Sequence, residues 1–411
     1  MALTVISLHW QTDARLISLP VDKVVNISTP YGQLISTLLP ICDYTETHQH
    51  MLCLALNKTN ITTINEKMIS SMSIDALNIS KVCVYFGFCG FLTLEIFTRW
   101  DYNDEHDIKN KWKSVRKDIY SIVEWFSLNT TLLNTWLNVA KNYLSINPNY
   151  TLGIHDKLHN TMVRHKMADE NGVNDTYVYS YQTVTNNQEE AKLLCNIGDE
   201  TMHEVGSLEG ARCWQIFGNH IWLTPTEPDE DLPHRLATST LIAAYTVLTY
   251  DVAVMNYKNM LMLLTQQISF DTVYIRDAIN IRNLVLQELG LATRDLNTEK
   301  THLTEHCLVE YGANARRQLF LDSQQSLRFA ADGVDSVQQS SSSRTIEIVV
   351  SILTIMSVYS LVADCYSLLT QESPHTPFSL VSTILFALTT IFCIVTIIFL
   401  FGRRKKNKHI I

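Results

Sequence analysis

The predicted fold depends on two apolar stretches, IEIVVSILTIMSVYSLVADCYSLL at residues 346–369 and FSLVSTILFALTTIFCIVTIIFLFG at residues 378–402. A helix needs about 20 apolar residues to cross the roughly 30 Å hydrocarbon core of a bilayer. The linker TQESPHTP contains Pro374 and Pro377, and proline interrupts a helix because it has no amide hydrogen. The sequence therefore predicts a C-terminal hairpin of two transmembrane helices.

The basic residues after the second stretch predict the orientation of this hairpin. They are Arg403, Arg404, Lys405, Lys406 and Lys408. Lys and Arg beside a span stay in the cytoplasm and bind anionic lipid headgroups. Because two spans return the chain to the same side, we expect both termini in the cytoplasm. The predicted location is the cell (inner) membrane, with the lipid bilayer as a partner.

Composition excludes one class of partner. The net charge is -9 and the pI is near 5.9. A negatively charged surface repels the phosphates of nucleic acids, so no nucleic-acid partner is expected. The N-terminus, MALTVISLHWQTDARL, has no basic segment before an apolar core and does not have the pattern of a signal peptide.

Two features support an alternative, a glycosylated surface membrane protein with its N-terminal part outside the cell. The sequence contains nine cysteines, which could form disulfides in such a protein. Its Asn-x-Ser/Thr sequons begin at Asn26, Asn57, Asn60, Asn78, Asn129, Asn149 and Asn174. The cysteines are scattered among apolar residues, which is typical of buried free thiols and favours the cytosolic interpretation.

Periodicity predicts an α+β membrane protein with four regions. Residues 1–234 form a cytosolic α/β domain, in which strands precede a helix over residues 107–144 and a hairpin over residues 211–224. Residues 235–344 form a helical stalk, residues 345–402 form the membrane hairpin, and residues 403–411 form a basic tail. The end of the stalk is polar, which favours self-association or a wet pore over burial in one subunit's core.

The helix predicted over residues 107–144 has two interpretations. Its apolar positions include Trp112, and a basic helix that contains tryptophan can bind an anionic ligand or a membrane surface. The basic residues between the apolar positions are Lys109, Lys111, Lys113, Arg116 and Lys117. Alternatively, its apolar side packs on the sheet and its basic side faces solvent.

The junction between stalk and first span resembles the CorA family of divalent-cation channels. The similar residues are Ser343–Glu347, Ser351–Ile355 and the basic tail. The resemblance implies a homopentameric channel that conducts Mg²⁺ or another divalent cation. The family's Gly-Met-Asn signature is absent, and residues 368–373 read LLTQES there. A branch associated with type III CRISPR systems implies an antiviral membrane effector, gated by a nucleotide-type second messenger bound to the cytosolic domain.

Helical spacing in the first predicted span brings polar and small apolar residues to one face. If this face lines a pore, rings of carboxylates select cations and apolar rings form a constriction. The predicted pore-lining residues are Glu347, Ser351, Thr354, Val358, Leu361, Asp364 and Cys365. An acidic residue within a span is a functional candidate because its burial in lipid is costly.

One short motif has metal-ligand spacing. His302, Glu305 and His306 match the HxxEH pattern, which places two histidines one helical turn apart. Such a pair is a weak zinc candidate because a catalytic zinc needs a third protein ligand. No Ser/His/Asp elbow, phosphate loop or CxxC pair occurs, so the sequence predicts a protein that is not an enzyme and has no resident cofactor. A metallopeptidase is the remaining enzymatic alternative.

Overall fold

The structure is a computed structural model, and it assigns conformation to most of the chain. The described residues are 2–12, 17–18, 25–38, 50–72, 74, 77–87, 90–100, 105–146, 161–162, 164–167, 173–196, 202–208, 210–226, 232–266, 271–294, 296, 298–372 and 387. The chain divides into two compact units, Met1–Ala330 and Ala331–Ile411. The sheet and its helices lie in the first unit.

The first unit contains a ten-stranded mixed sheet with strand order β10-β11-β12-β9-β1-β7-β6-β5-β4-β3. The strands are β1 (Ala2–Thr12), β2 (Ile17–Ser18), β3 (Asn26–Ser28), β4 (Gly32–Leu38), β5 (His50–Leu56), β6 (Asn78–Gly87), β7 (Phe91–Trp100), β8 (Ser145–Ile146), β9 (Val173–Thr185), β10 (His203–Leu208), β11 (Ala211–Ile216) and β12 (Asn219–Leu223). β2 and β8 pair separately. β12 runs parallel to β9, and the other described pairs are antiparallel.

Nine described helices accompany the sheet. They are α1 (Lys58–Met72), α2 (Glu105–Leu128), α3 (Thr130–Lys141), α4 (Gln188–Cys195), α5 (Leu232–Thr238), α6 (Leu241–Thr265), α7 (Val273–Arg294), α8 (Thr298–Glu310) and α9 (Ala313–Glu372). Buried residues of α1–α4 pack on one sheet face, called face A here. Buried residues of α5–α8 pack on the other, face B. The sheet is therefore the middle of three layers.

Alternation along the central strand explains why both faces are covered. In β1, Ile6, Leu8 and Trp10 pack with face A, and Val5 packs with face B. Successive side chains of a strand point to opposite faces, so a strand that is apolar on both sides needs helices on both. β1 pairs with β7 on one side and β9 on the other, which places it within the sheet interior.

Face B also buries polar side chains. His9 Nδ1 lies 3.0 Å from the Thr93 hydroxyl, which lies 2.7 Å from the Tyr245 hydroxyl on α6. The buried Arg282 of α7 donates to the side-chain oxygen of Gln11. These bonds connect the sheet to α6 and α7. They also give partners to buried polar groups, each of which would cost about 1–3 kcal/mol if left without one.

Two of the sequon asparagines hold a turn in place. The Asn60 side-chain nitrogen donates to the carbonyl oxygens of Pro30 and Tyr31, at 3.2 Å each, and to Asn57 Oδ1 at 2.8 Å. Asn57 in turn donates to the Pro30 carbonyl at 3.3 Å. The amide nitrogens that glycosylation would modify are thus engaged within the fold.

The hairpin predicted over residues 211–224 is confirmed as β11 and β12, with Phe217 and Gly218 between them. Within the predicted helical stalk of residues 235–344, the polar end is divided into two helices, α8 and α9. α8 ends at Glu310, and Gly312 adopts φ +65°, a conformation that glycine reaches without strain. α9 then passes through Gly333 without interruption.

The predicted membrane-spanning fold is wrong for the described residues. Among them, no helix combines the length and apolar character that a bilayer crossing requires. Residues 346–369 continue α9, and of residues 378–402 only Ala387 is described. Hydropathy misled because the apolar character of a segment does not by itself specify a membrane crossing. The transmembrane hairpin, the ion channel and the inner-membrane location are therefore withdrawn.

Candidate ligand-binding site

The connection from β9 to β12 builds the candidate site. Parallel strands need a crossover, and here the crossover consists of α4, β10 and β11. Asn187 caps α4 by accepting from the backbone nitrogens of Glu189, at 2.9 Å, and Glu190, at 3.2 Å. The Glu190 carboxylate accepts from Thr185 at the end of β9, at 2.6 Å. These bonds fix the start of α4 against the sheet.

A cavity of about 220 Å³ lies between α4 and the β10–β11 hairpin on face A. Its lining residues are Gln188, Ala191, Lys192, Cys195, Asn196, Met202, Glu204, Arg212 and Trp214. The α4 residues recur at helical spacing, and Arg212 and Trp214 lie two apart on one strand. One helix face and one strand face therefore form its walls.

The charged groups of this cavity are ordered. Arg212 donates to both carboxylate oxygens of Glu204, with Nε–Oε1 at 2.9 Å and Nη2–Oε2 at 2.7 Å. These bonds lower the pKa of Glu204 and raise that of Arg212, so both stay charged. The guanidinium carbon lies 5.0 Å from the Trp214 ring centroid, within cation–π range. Lys192 pairs with the exposed Glu189 at 2.8 Å.

A smaller cavity of about 20 Å³ adjoins this one and shares Cys195 and Met202 with it. Its other lining residues are Trp112, Arg116, Tyr181, Leu194, Ile216 and Asn219. This volume is enough for about one water molecule or one oxygen of an acidic group. Burial raises the pKa of Tyr181, and the nearby Arg116 partly offsets this shift.

Together the two cavities form an electropositive site. Three cationic side chains line them: Arg116, Lys192 and Arg212. The lining carboxylate Glu204 pairs with Arg212, and Glu189, outside the lining, pairs with Lys192, so the local excess is one positive charge. The protein as a whole carries a net charge of -9. A locally positive cleft on an acidic protein concentrates anions. The aromatic residues Trp112, Tyr181 and Trp214 add ring surfaces to the same walls.

Cys195 contributes packing to this site rather than chemistry. It is buried, and burial raises its pKa to about 12. At neutral pH it is therefore a thiol, and the thiolate is the nucleophilic form of cysteine.

A second constellation, on face B, has the appearance of a catalytic pair. Cys307 Sγ of α8 lies 3.5 Å from His220 Nε2, and His220 Nδ1 lies 3.0 Å from Gln182 Nε2. The Trp222 indole donates to Gln182 Oε1 at 2.6 Å. Cys307 and His220 are both 0% exposed. Burial raises the pKa of Cys307 to about 12 and lowers that of His220 to about 4. The pair is neutral and lacks solvent access, so it stabilises the packing of α8 on the sheet.

The candidate zinc residues of α8 do not form a metal site with other described side chains. His302 and Glu305 are exposed, with Nδ1 and Oε2 3.9 Å apart, and His306 is exposed as well. Across the described residues, no group of three or more His, Cys, Asp or Glu side chains is placed to hold a metal ion. His302 instead lines a separate cavity beside β10.

The predicted pore-lining residues all lie in α9. Side chains are described for two of them: Ser351, and the exposed Thr354, whose hydroxyl donates to the Val350 carbonyl at 2.8 Å. The side chains of Glu347, Val358, Leu361, Asp364 and Cys365 lie outside the described residues. The basic residues Arg403, Arg404, Lys405, Lys406 and Lys408 lie outside them too. Self-association stays a prediction.

Sequence reasoning did not assign the residues of the candidate site. The anion-binding interpretation of the helix at residues 107–144 rested on five basic residues and a tryptophan, and of these Trp112 and Arg116 line the smaller cavity. It missed Lys192, Arg212 and Trp214. The alternation of Arg212 and Trp214 in β11 was the available signal, because it assigns both to one strand face.

Comparison with known proteins assigns no family. No family model matches the chain, and neither a curated protein nor a solved structure matches it. The resemblance to the CorA family stays a hypothesis.

Proposed function

We propose that the Met1–Ala330 unit is a ligand-binding domain for a small anionic aromatic compound, of the nucleoside monophosphate class. The ligand occupies the paired cavities between α2, α4 and strands β9–β12. The observation that carries this proposal is a local excess of positive charge on a protein with a net charge of -9. It consists of Arg116, Lys192 and Arg212 in the lining, against the paired carboxylates of Glu204 and Glu189.

The lining distinguishes this ligand from a simple anion. Trp214 borders the larger cavity and offers a ring against which a base stacks. The guanidinium of Arg212 lies beside that ring, where it reaches a phosphate by charge-assisted hydrogen bonds. The volume of about 220 Å³ is below the roughly 300 Å³ at which pockets for drug-sized ligands begin. It holds one ring system and leaves the rest of a larger ligand at the surface.

Binding rather than catalysis is the activity that we propose. The Cys307–His220 pair is neutral and buried, and Cys195 is a thiol with a raised pKa. Neither supplies the thiolate that nucleophilic catalysis requires. A nucleotide-type second messenger is also the ligand that the resemblance to the CRISPR-associated CorA branch implies.

Isothermal titration of the full chain with adenosine monophosphate, adenosine and inorganic phosphate tests the proposal. We expect the monophosphate to bind tighter than either fragment, and its affinity to fall with added salt. Weaker or equal binding of the monophosphate relative to adenosine would contradict an anion site.

Two charge variants provide a further test, because they should change the affinity for the monophosphate in opposite directions. Arg212→Gln removes a phosphate partner, and we expect affinity to fall about threefold to tenfold. Glu204→Gln removes the lining carboxylate and should strengthen binding. Lys67→Gln is the matched control, since Lys67 is exposed on α1 and lines neither cavity. Equal effects of Arg212→Gln and Lys67→Gln would remove this site from the function.

A further inference from the structure

The opposite face of the β10–β11 hairpin borders a second cavity, of about 230 Å³, which lies between this hairpin and α8. Its lining residues are Val205, Gly206, Ser207, Cys213, Trp222, Glu299, His302 and Leu303. We propose that this cavity binds a small apolar amine, with the apolar body against Val205 and Leu303 and the ammonium group at the Glu299 carboxylate. This site is separate from the anion site and does not depend on it.

The volume decides the size of the ligand. Interiors are packed as densely as organic crystals, and they contain few voids larger than a water molecule. An apolar cavity of roughly 150 Å³ accommodates benzene. A cavity of about 230 Å³ therefore has room for one ring with a short substituent.

The backbone of β10 keeps this space open. The register of β10 against β11 shifts between Glu204 and Gly206, and Gly206 adopts φ +142°. A Cβ built on Gly206 would have no neighbouring atom within 4 Å. At Gly206, β10 therefore borders the cavity without a side chain. Residues other than glycine rarely adopt the positive φ of this position.

The lining decides the chemistry of the ligand. Val205, Cys213, Trp222 and Leu303 are buried and belong to one apolar cluster of the sheet and α8. Burial raises the pKa of Cys213, so this thiol is neutral and acts as an apolar wall. Glu299 and His302 lie at the exposed side, one helical turn apart. An apolar pocket with a carboxylate at its mouth favours a cation over an anion of the same shape.

Three probes of similar shape and different charge test this proposal: benzylamine, benzyl alcohol and benzoate. Ligand-observed NMR on the full chain should give the order of affinity benzylamine, benzyl alcohol, benzoate, with at least about threefold between the first two. Glu299→Gln should bring benzylamine to the level of benzyl alcohol and leave the alcohol unchanged. Glu66→Gln, exposed on α1 and outside the cavity, is the matched control and should change neither.

A second variant tests the location. Val205→Phe adds volume inside the cavity and should abolish binding of all three probes, provided that the thermal unfolding of the variant stays cooperative. Two results would overturn the proposal. One is equal affinity of the three probes for the wild-type chain, and the other is an amine preference that survives Glu299→Gln. The second result is measured on Glu299→Gln, so it does not depend on whether Val205→Phe folds.

Discussion

The imidazole Nε2 of His220 lies 3.5 Å from the thiol Sγ of Cys307, and both side chains are completely buried between the sheet and α8. His220 lies opposite Gln182 across the parallel β9–β12 pair and opposite Gln215 across the β11–β12 hairpin. Cys307 also approaches Gln215 Oε1 at 3.5 Å. The geometry is that of a nucleophile and a base, but the protonation state is that of two neutral core residues.

The first prediction concerns the reactivity of this thiol. Because burial raises the pKa of Cys307 to about 12, we expect N-ethylmaleimide to label it at least about a hundredfold more slowly in the native chain than in urea. Mass spectrometry of the peptide that contains Cys307 measures the rate. Fast labelling of the native chain at neutral pH would demonstrate a thiolate and reopen a catalytic role.

The second prediction is a loss of stability in acid caused by two buried histidines. Burial lowers the pKa of His9 to about 3 and that of His220 to about 4, against 6.5 for an unburied imidazole. The unfolded chain therefore binds more protons below about pH 6.5, and the free energy of unfolding falls as the pH drops towards the folded-state values. The total loss is on the order of several kcal/mol.

Urea unfolding midpoints between about pH 7 and about pH 4 measure this loss. His9→Gln should reduce its slope, because the unfolded chain then gains one proton fewer. His203→Gln should leave the slope as in the wild type, since His203 is exposed on β10. If the pH dependence of the midpoint has the same slope in His9→Gln as in the wild type, His9 is protonated in the folded protein.

The third prediction contrasts two glycines. A Cβ at Gly32 would overlap the Ala55 carbonyl oxygen of the paired strand and lie 2.8 Å from Leu56 Cα, and the backbone there has φ +156°. We expect Gly32→Ala to cost more than about 2 kcal/mol. Gly290 lies exposed in α7 with nothing within 4 Å of its Cβ position, so Gly290→Ala should stabilise by about 0.5–1 kcal/mol. Thermal unfolding compares them, and equal effects would contradict the assigned β4–β5 register.

The fourth prediction contrasts two buried hydroxyls of β1. Thr4 Oγ1 lies 3.0 Å from the Thr183 hydroxyl and accepts from the Trp100 indole at 3.2 Å. Ser7 Oγ is buried and has no hydrogen-bond partner among the described residues. Thr4→Val should cost about 1–3 kcal/mol, whereas Ser7→Ala should be neutral or stabilising by up to about 1 kcal/mol. Similar costs in denaturant titrations would show that Ser7 holds an internal water.

Local patterns of the sequence identified much of the secondary structure. The alternation in CWQIF and HIWLT around Gly218 predicted the β11–β12 hairpin, because turn chemistry and strand period act over a few residues. The helical period from residue 107 predicted one helix to residue 144 for the same reason, and the structure has two helices there, α2 and α3, divided at Asn129. The apolar composition of residues 346–369 misled, since composition does not specify what surrounds a helix.

The sequence by itself determined the β11–β12 hairpin and the helical character of residues 107–144, and it placed Trp112 and Arg116 in that helical region. Only the tertiary structure decided that Arg116 shares a site with Lys192, Arg212 and Trp214. That juxtaposition follows from the parallel return of β12 beside β9, whose crossover places α4 next to α2. Tertiary burial likewise decided the chemistry of Cys307 and His220. A residue's type sets its ordinary pKa, whereas the surrounding medium sets whether its charged form exists.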